Sequence, residues 1–395
     1  MLPWKHTSVE SERLRFIERW AAGEESIAEL CRQSGISRKT GYKLIGRYEV
    51  HGEDGLLDRS RAPHSHPNAT AGEVAQRIIE AKRDRPTWGP KKLVAWLRSK
   101  EPDVAWPAPS TASGILDRAG LVKRRKHPRR ASAWNEPFAN ARHPNDVWSI
   151  DFKGWFRTGD GMRIDPLTAQ DAASRYLLVC DGLDRPTGPQ VKRSLERAFR
   201  EYGLPRVIRT DNGPPFAGVG LGSLSPLSAW WVKLGIVPER IQPGHPEQNG
   251  RLERLHRTLK QETATPAKAN RTRQRRAFDC FRHSYNVERP HEALGQRPPD
   301  LLYTPSLRPY PAPSISSPQY GAEVTVRRVR SNGQIKWNGD LIYVSQSLKG
   351  EPVGLVQQDD RTWSIQFGPL VIGVLNDHAK RVDKTPVKLL PMSPV

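Results

Sequence analysis

The run Asp146-Val147-Trp148-Ser149-Ile150-Asp151-Phe152 decides how the middle of this chain folds. Successive side chains of a strand point to opposite faces, so Trp148, Ile150 and Phe152 fall on one side and Val147, Ser149 and Asp151 on the other. Outward from it, Arg163 to Ala169 reads as a second strand. The turn Asp171-Ala172-Ala173-Ser174 leads into a third, Tyr176 to Cys180. Gln190 to Tyr202 places Val191, Leu195, Ala198 and Phe199 at helical spacing. Val207-Ile208-Arg209-Thr210-Asp211 is then a short buried strand stopped by Asn212-Gly213. Hairpin-type strands followed by alternating helices and strands predict a mixed sheet flanked by helices.

Asp211 sits at the end of its strand, where a turn exposes the chain. If the strand from Asp146 lies beside it, Asp151 and Asp211 point into one crevice. Two carboxylates that close raise each other's pKa unless a cation compensates. Hard oxygen ligands select Mg²⁺ or Mn²⁺, and two such ions can clamp the attacking and leaving oxygens of a phosphoryl displacement.

A third acid has two candidates in His245-Pro246-Glu247-Gln248-Asn249-Gly250-Arg251-Leu252-Glu253-Arg254-Leu255-His256-Arg257-Thr258-Leu259-Lys260. Glu247 lies in a Pro/Gly loop with 35 residues between it and Asp211; Glu253 stands inside the helix that begins at Asn249-Gly250, with 41 between. Leu252, Leu255 and Leu259 form the buried stripe of that helix, and Glu253, Arg257 and Lys260 an adjacent face. A helix holds a ligand in register better than such a loop, which favours Glu253. Asp171, Asp181 and Asp184 lie at strand ends nearby, and an Asx-type cap is the ordinary explanation for Asp171.

Trp148-Ser149-Ile150-Asp151, Thr210-Asp211-Asn212-Gly213 and Pro246-Glu247-Gln248-Asn249-Gly250-Arg251-Leu252-Glu253 together resemble the three catalytic blocks of the DDE transposases with a retroviral-integrase-type core, in their bacterial insertion-sequence branch. The resemblance covers roughly residues 88–302. It implies an RNase H-like fold and maps the third acid onto Glu253, with Asp151, Asp211 and Glu253 as metal ligands for two Mg²⁺ or Mn²⁺ ions. Lys260 matches a lysine that contacts the DNA end in that family. Tyr285-Asn286, Arg289-Pro290-His291 and Leu294 resemble a motif that closes the core, read here as structural. The chain lacks the cysteine-rich zinc head of retroviral integrases.

Lysine and arginine number 63 against 42 acids, a formal charge of +21, which favours a polyanionic partner. No apolar run approaches the ~20 residues that span a bilayer, so no membrane partner is expected. Cys31, Cys180 and Cys280 are far apart and form no CxxC pair, which fits a reduced cytosolic compartment; the resemblance adds a bacterial, nucleoid-associated setting. His64 and His66 read as loop residues rather than metal ligands.

Towards the N-terminus, Ile27, Leu30 and Cys31 share a helix face, Gly35 ends that helix, and Ser37 caps another whose inner face is Leu44, Ile45 and Tyr48. Helix, turn and helix with Arg38, Lys39 and Lys43 on the second helix is a helix-turn-helix pattern whose basic face suits DNA; a helical hairpin with a solvated face is the alternative. A second unit of this kind has helices at Val74–Ile79 and Leu93–Leu97, and a third that Ser110 caps. Lys123, Arg124, Arg125 and Lys126 open a basic run that reads as a phosphate-tracking tether. Arg271, Arg273, Arg275 and Arg276 suit DNA or solvent equally. Beyond a Pro/Ser-rich linker, short strands at Val324–Val329, Gln334–Trp337, Leu341–Val344, Pro352–Gln357, Thr362–Phe367 and Val371–Leu375 predict a small β-barrel.

The expected layout is a helix-turn-helix domain at 1–58, a linker at 59–70, a second such domain at 71–122, a basic linker at 123–143, an α/β core at 144–302, a linker at 303–319, a barrel at 320–378 and a tail at 379–395. The expected function is a transposase. It would bind the terminal repeats of a mobile element, double-stranded DNA, cut at the ends, and join them to target DNA as a homo-oligomer on paired ends. A DNA-binding regulator that keeps the core as scaffold, and an RNase H-like nuclease without strand transfer, are the competing readings.

Overall fold

The computed structural model describes residues 8–59, 69–122, 141–242, 246–311, 315–383 and 388–389. The basic tether at Lys123, Arg124, Arg125 and Lys126, together with His64 and His66, lies outside the described residues.

Residues 1–69 form a unit of their own. Its helices α1 (Val9–Ala22), α2 (Ile27–Gln33) and α3 (Arg38–His51) are each capped by a serine, Ser8, Ser26 and Ser37, whose hydroxyl accepts from a backbone N–H three residues on. Phe16, Ile17, Leu30, Cys31, Leu44, Ile45 and Leu56 close the core. Gly41 of α3 is buried against α2, where a side chain would run into the Cys31 sulfur, so this crossing requires glycine.

The remaining residues form a second unit. It opens with α4 (Gly72–Asp84), α5 (Pro90–Lys100) and α6 (Pro109–Arg118) around Ile78, Leu93, Leu97, Trp106 and Leu116. The expected Ser110 cap is not used: α6 starts at Pro109, whose fixed φ suits the first helical position, and Ala108 makes no side-chain cap bond. This helical module grips the core through polar groups. Arg85 stacks on Trp96 (3.9 Å) and Trp88 (5.3 Å) and pairs with Glu288 at 3.2 Å. Arg289 lies over Trp88 and pairs with Glu262 at 2.6 Å. Thr87 also donates to Glu262, and Lys92 donates to the Pro290 carbonyl.

The central sheet contains β1 (Val147–Phe152), β2 (Phe156–Arg157), β3 (Arg163–Asp171), β4 (Leu177–Leu183), β5 (Val207–Thr210) and β6 (Val237–Arg240). β3 is antiparallel to β1, β2 and β4, whereas β1–β5 and β5–β6 are parallel, giving the mixed sheet that the strand pattern predicted. Helices α7 (Gly188–Tyr202) and α8 (Pro226–Lys233) cover the Trp148, Ile150, Leu167 face. Helices α9 (Gly250–Thr263) and α10 (Arg271–His283) cover the opposite face through Leu252, Leu255, Leu259 and Phe278.

The segment expected as a linker after residue 302 is bonded to the core. Tyr303 stacks on Tyr176 with centroids 4.3 Å apart, and Arg308 donates to the carbonyls of Pro205, Leu234 and Gly235. The C-terminal module follows: β7 (Thr325–Arg328), the hairpin β8 (Gln334–Trp337) and β9 (Asp340–Tyr343), then β10 (Pro352–Gln357), β11 (Thr362–Phe367) and β12 (Leu370–Asn376). Two strands that the sequence reading left in the tail, β13 (Arg381–Asp383) and β14 (Lys388–Leu389), both pair with β12. The antiparallel path runs β13-β12-β11-β10-β7, with β8–β9 as a separate two-stranded sheet; no pair closes a ring among the described residues. This module joins the core through an apolar cluster and through the Lys233–Glu351 ion pair at 2.7 Å. Leu221, Leu224 and Val232 share one cluster with Val344, Phe367 and Leu370, and the Leu221 N–H donates to the Val344 carbonyl at 3.0 Å.

No helix among the described residues is long and apolar enough to cross a membrane.

Candidate active site

Ser149 of β1 stands opposite Arg209 of β5, and two residues further along each chain come Asp151 and Asp211. Parallel pairing therefore brings the two carboxylate positions to one level at the carboxyl ends of neighbouring strands, as the sequence reading required. Asp151 lies on the sheet face that α9 covers. Its partner across on β3 is Thr168, whose hydroxyl reaches the Asp151 carbonyl at 3.2 Å and His256 Nε2 at 2.7 Å. The hydroxyl gives its one proton to the carbonyl, so Nε2–H of His256 donates to Thr168. His256 Nδ1 then faces Asp151 Oδ2 at 4.0 Å. Burial, and to a lesser degree Lys153, holds the ring down to about 4, so this is a contact with a neutral imidazole and not an ion pair.

The Asp151 carboxyl is pushed up to about 7. Burial is the largest cause and the Asp211 charge the next; Glu253 raises it further against the opposing hydrogen bond from the Phe152 N–H. The three acids thus share one electrostatic neighbourhood. The turn after β5 is held by the Gly213 N–H on Asp211 Oδ1 at 3.2 Å and by the Asn212 amide on the Ile241 carbonyl at 2.9 Å. Glu253 stands exposed in the first turn of α9, while Glu247 belongs to the 3-10 turn Pro246–Asn249 ahead of that helix. Among the described residues no three His, Cys, Asp or Glu side chains form a group that could hold a metal ion as they stand. Asp151 and Asp211 are brought together, and Glu253 is near them but outside a closed set. None of the three has a lysine or arginine ion pair among the described residues. Oxygen donors with an unbalanced negative charge are a set that suits a hard divalent cation.

Arg257 and Lys260 are exposed on α9 beyond Glu253. On α3 Arg38, Lys39 and Lys43 are all exposed, and with them Tyr42, which the charge pattern alone did not single out. Burial and neighbouring Lys260 hold the Lys153 ammonium below its ordinary value. Lys153 and His256 are the residues that the sequence reading missed. His256 had a usable signal, since it follows Glu253 by three positions in one helix and so shares its face. The other acids have ordinary partners. Asp171 is buried and accepts from the Asn145 N–H and from Ser174; Asp181 pairs with Arg197, and Asp184 with Arg271 and Arg275. Arg273 and Arg276 stay exposed. Tyr285 accepts from Gln170, and Asn286 bonds both the N–H and the carbonyl of Leu177, which makes that motif structural.

Comparison with known proteins agrees with this layout. Two family models described as "Integrase core domain" match residues 141–246 and 234–299. A "Helix-turn-helix domain" model matches 12–64, and a "Homeodomain-like domain" model 40–116. A 31.7 kDa protein of insertion element IS407 from Burkholderia multivorans is 29% identical over 67% of this chain and 89% of its own length. A 39.2 kDa protein of insertion element IS476 from Xanthomonas euvesicatoria is 26% identical over 72% of this chain and 80% of its own. Among solved structures, the HTLV-2 integrase catalytic core in complex with magnesium covers 41% of this chain and 97% of that one, at 15% identity and a TM-score of 0.33. With an integrase core behind helix-turn-helix domains, and insertion-element proteins as relatives along most of its length, the chain is similar to the DDE transposases of insertion elements.

Proposed function

We propose that this protein binds the terminal repeats of its element, cuts the DNA at those ends and joins the freed 3′-hydroxyl to target DNA. The observation that carries this reading is the placing of Asp151 and Asp211 on adjacent parallel strand ends, with the Glu253 charge felt at Asp151. Asp151 and Asp211 are the residues to hold a divalent cation, Mg²⁺ or Mn²⁺, with Glu253 completing a second position from α9. Two bound ions supply charge stabilisation for an in-line displacement at phosphorus. A cation held there would favour the ionised Asp151 carboxylate over the protonated form that burial and the neighbouring acids favour. Neutral His256 adds no competing cation and fixes β1 through Thr168. Arg257 and Lys260, one and two turns beyond Glu253, take the phosphates of the bound strand.

Arg38, Lys39 and Lys43 are the head's contacts to DNA, and Lys123, Arg124, Arg125 and Lys126 add contacts to phosphate. Pairing two ends calls for a homo-oligomer. The C-terminal module is proposed to be a small barrel, since β8 lies beside β7 and β9 beside β13, so that the hairpin bridges both edges of the main sheet.

Glu253→Gln is expected to bind end DNA normally and to fail in Mg²⁺-dependent nicking and joining. An active Glu253→Gln together with an inactive Glu247→Gln overturns the assignment. If the unaltered protein binds but cleaves with neither Mg²⁺ nor Mn²⁺, the DNA-binding regulator replaces the enzyme; nicks without joined product point to a nuclease.

A further inference from the structure

The chain leaves β1 through Lys153 and turns outward at Gly154, whose φ of +85° is a glycine conformation. The turn sets Trp155 at the surface four residues beyond Asp151, with 55% of its area exposed. Trp155 forms one wall of a shallow cleft of about 80 Å³ floored by Pro166, Leu259 and Ala264, with Lys153 and Lys260 along its side. Neither ammonium has an ion pair among the described residues. Two guanidinium groups also approach the ring: Arg163 at 5.1 Å and Arg157 at 5.8 Å from its centroid. Arg163 is paired with Asp165 at 2.7 Å and Arg157 donates to the Gly161 carbonyl at 2.7 Å, so the cations left to meet phosphate along this cleft are Lys153 and Lys260.

This chemistry selects its occupant. An aromatic plane takes a base by stacking regardless of sequence, and the flanking cations take the phosphates on either side. Inside a duplex each base has both faces stacked on its neighbours, whereas a splayed, unpaired base offers a whole face to the indole and is the occupant that fits. The cleft is too small to enclose a base, so the base lies on the indole and only its edge or sugar enters. We propose that Trp155 is the stacking platform for an unpaired nucleotide at the DNA end, with Lys153 and Lys260 holding the adjoining phosphates. The inference rests on the reading of this chain as an end-cutting enzyme and gives that enzyme a means of keeping the strand open next to Asp151.

The test compares binding of two labelled duplexes of one sequence, one fully paired and one ending in a few splayed nucleotides, by the full-length protein in chelator so that no strand is cut. The unaltered protein is expected to prefer the splayed duplex by about tenfold, within the range of one stacked base. Trp155→Ala should lose that preference while binding the paired duplex as before, and Trp155→Phe should keep most of it. Lys153→Ala and Lys260→Ala should weaken both duplexes alike and each lower the salt slope by about one. The platform is overturned if Trp155→Ala keeps the preference, if it weakens both duplexes equally, or if the unaltered protein has no preference. Because Trp155 is exposed, an unchanged melting temperature separates these outcomes from misfolding. Binding is read without cleavage, so the two readings fail separately. A protein that never cuts yet shows the Trp155-dependent preference sinks the enzyme, and one that cuts while Trp155→Ala binds like the parent sinks the platform.

Discussion

The helical module α4–α6 and the C-terminal strand module both sit on the core, yet they attach near different parts of the carboxylate cluster, one through polar groups and the other mainly through apolar ones. The helical module reaches Glu262 of α9, the helix that carries Glu253, through Thr87 and through Trp88, over which lies the core's Arg289 that pairs with Glu262; its other attachments include ion pairs and cation–π contacts. The C-terminal module takes the loop that follows Asp211 into its own apolar interior through Leu221 and Leu224. A polar grip is open to competition from water and salt, whereas a shared apolar core is lost only with the fold. The contrast teaches that the loop after Asp211 is tied down by a shared apolar core, whereas α9, already held on the sheet by its leucines, gains at Glu262 a polar tie that responds to conditions.

The largest effect is expected from Leu221→Asp. Putting a charge where Leu221 is 3% exposed should cost about 3–5 kcal/mol in denaturant unfolding and loosen core and strand module together. If the strand module melts alone and the rest keeps its stability, the apolar attachment is not shared and the comparison breaks.

A second test addresses the acids between the two grips. Asp151 has a folded pKa of about 7 against an ordinary 3.8, so the fold favours its protonated form. Without metal, stability should therefore be highest below the ordinary value and fall as pH rises towards 7, by something on the order of 2–4 kcal/mol. Asp151→Asn should flatten that slope and make the metal-free protein more stable at pH 8, while abolishing stabilisation by added Mg²⁺. A parallel fall in both proteins would mean that Asp151 is not the titrating group.

The smallest effect sharpens the comparison from the polar side. Lys91 and Glu292 are both well exposed, so Lys91→Ala should cost under about 0.5 kcal/mol, whereas Arg85→Ala, which loses Glu288 and two tryptophan faces, should cost about 1–2 kcal/mol. Raising salt should shrink the Lys91 difference first. Equal costs would mean that the stacking contributes nothing beyond charge.

Much of this was legible in the chain itself. The period-2 pattern at 146–152 and the strand stopped at Asn212-Gly213 were enough to put Asp151 and Asp211 at strand ends, because facing depends on local alternation; that the two strands are parallel neighbours came from the tertiary pairing. The leucine stripe of α9 likewise fixed the face of Glu253. Thr168 and His256 were not legible as partners, since they lie 88 positions apart and only the tertiary fold brings them together. The segment from Tyr303 looked like a linker because proline and serine report backbone habit and say nothing about the carbonyls that Arg308 finds. β13 and β14 were missed because three- and two-residue strands show too few alternations to be read.

The hydrogen bond from Leu221 to Val344 has a consequence in time. A ribosome makes the chain from its N-terminus, and the loop behind Asp211 must wait for more than a hundred further residues before its backbone partner exists. Sheet and helices can assemble earlier from nearer contacts, but such a distant closure comes late. The nascent chain therefore carries its helix-turn-helix units well before the loop behind Asp211 is pinned, which delays completion of the carboxylate cluster until synthesis has passed the strand module.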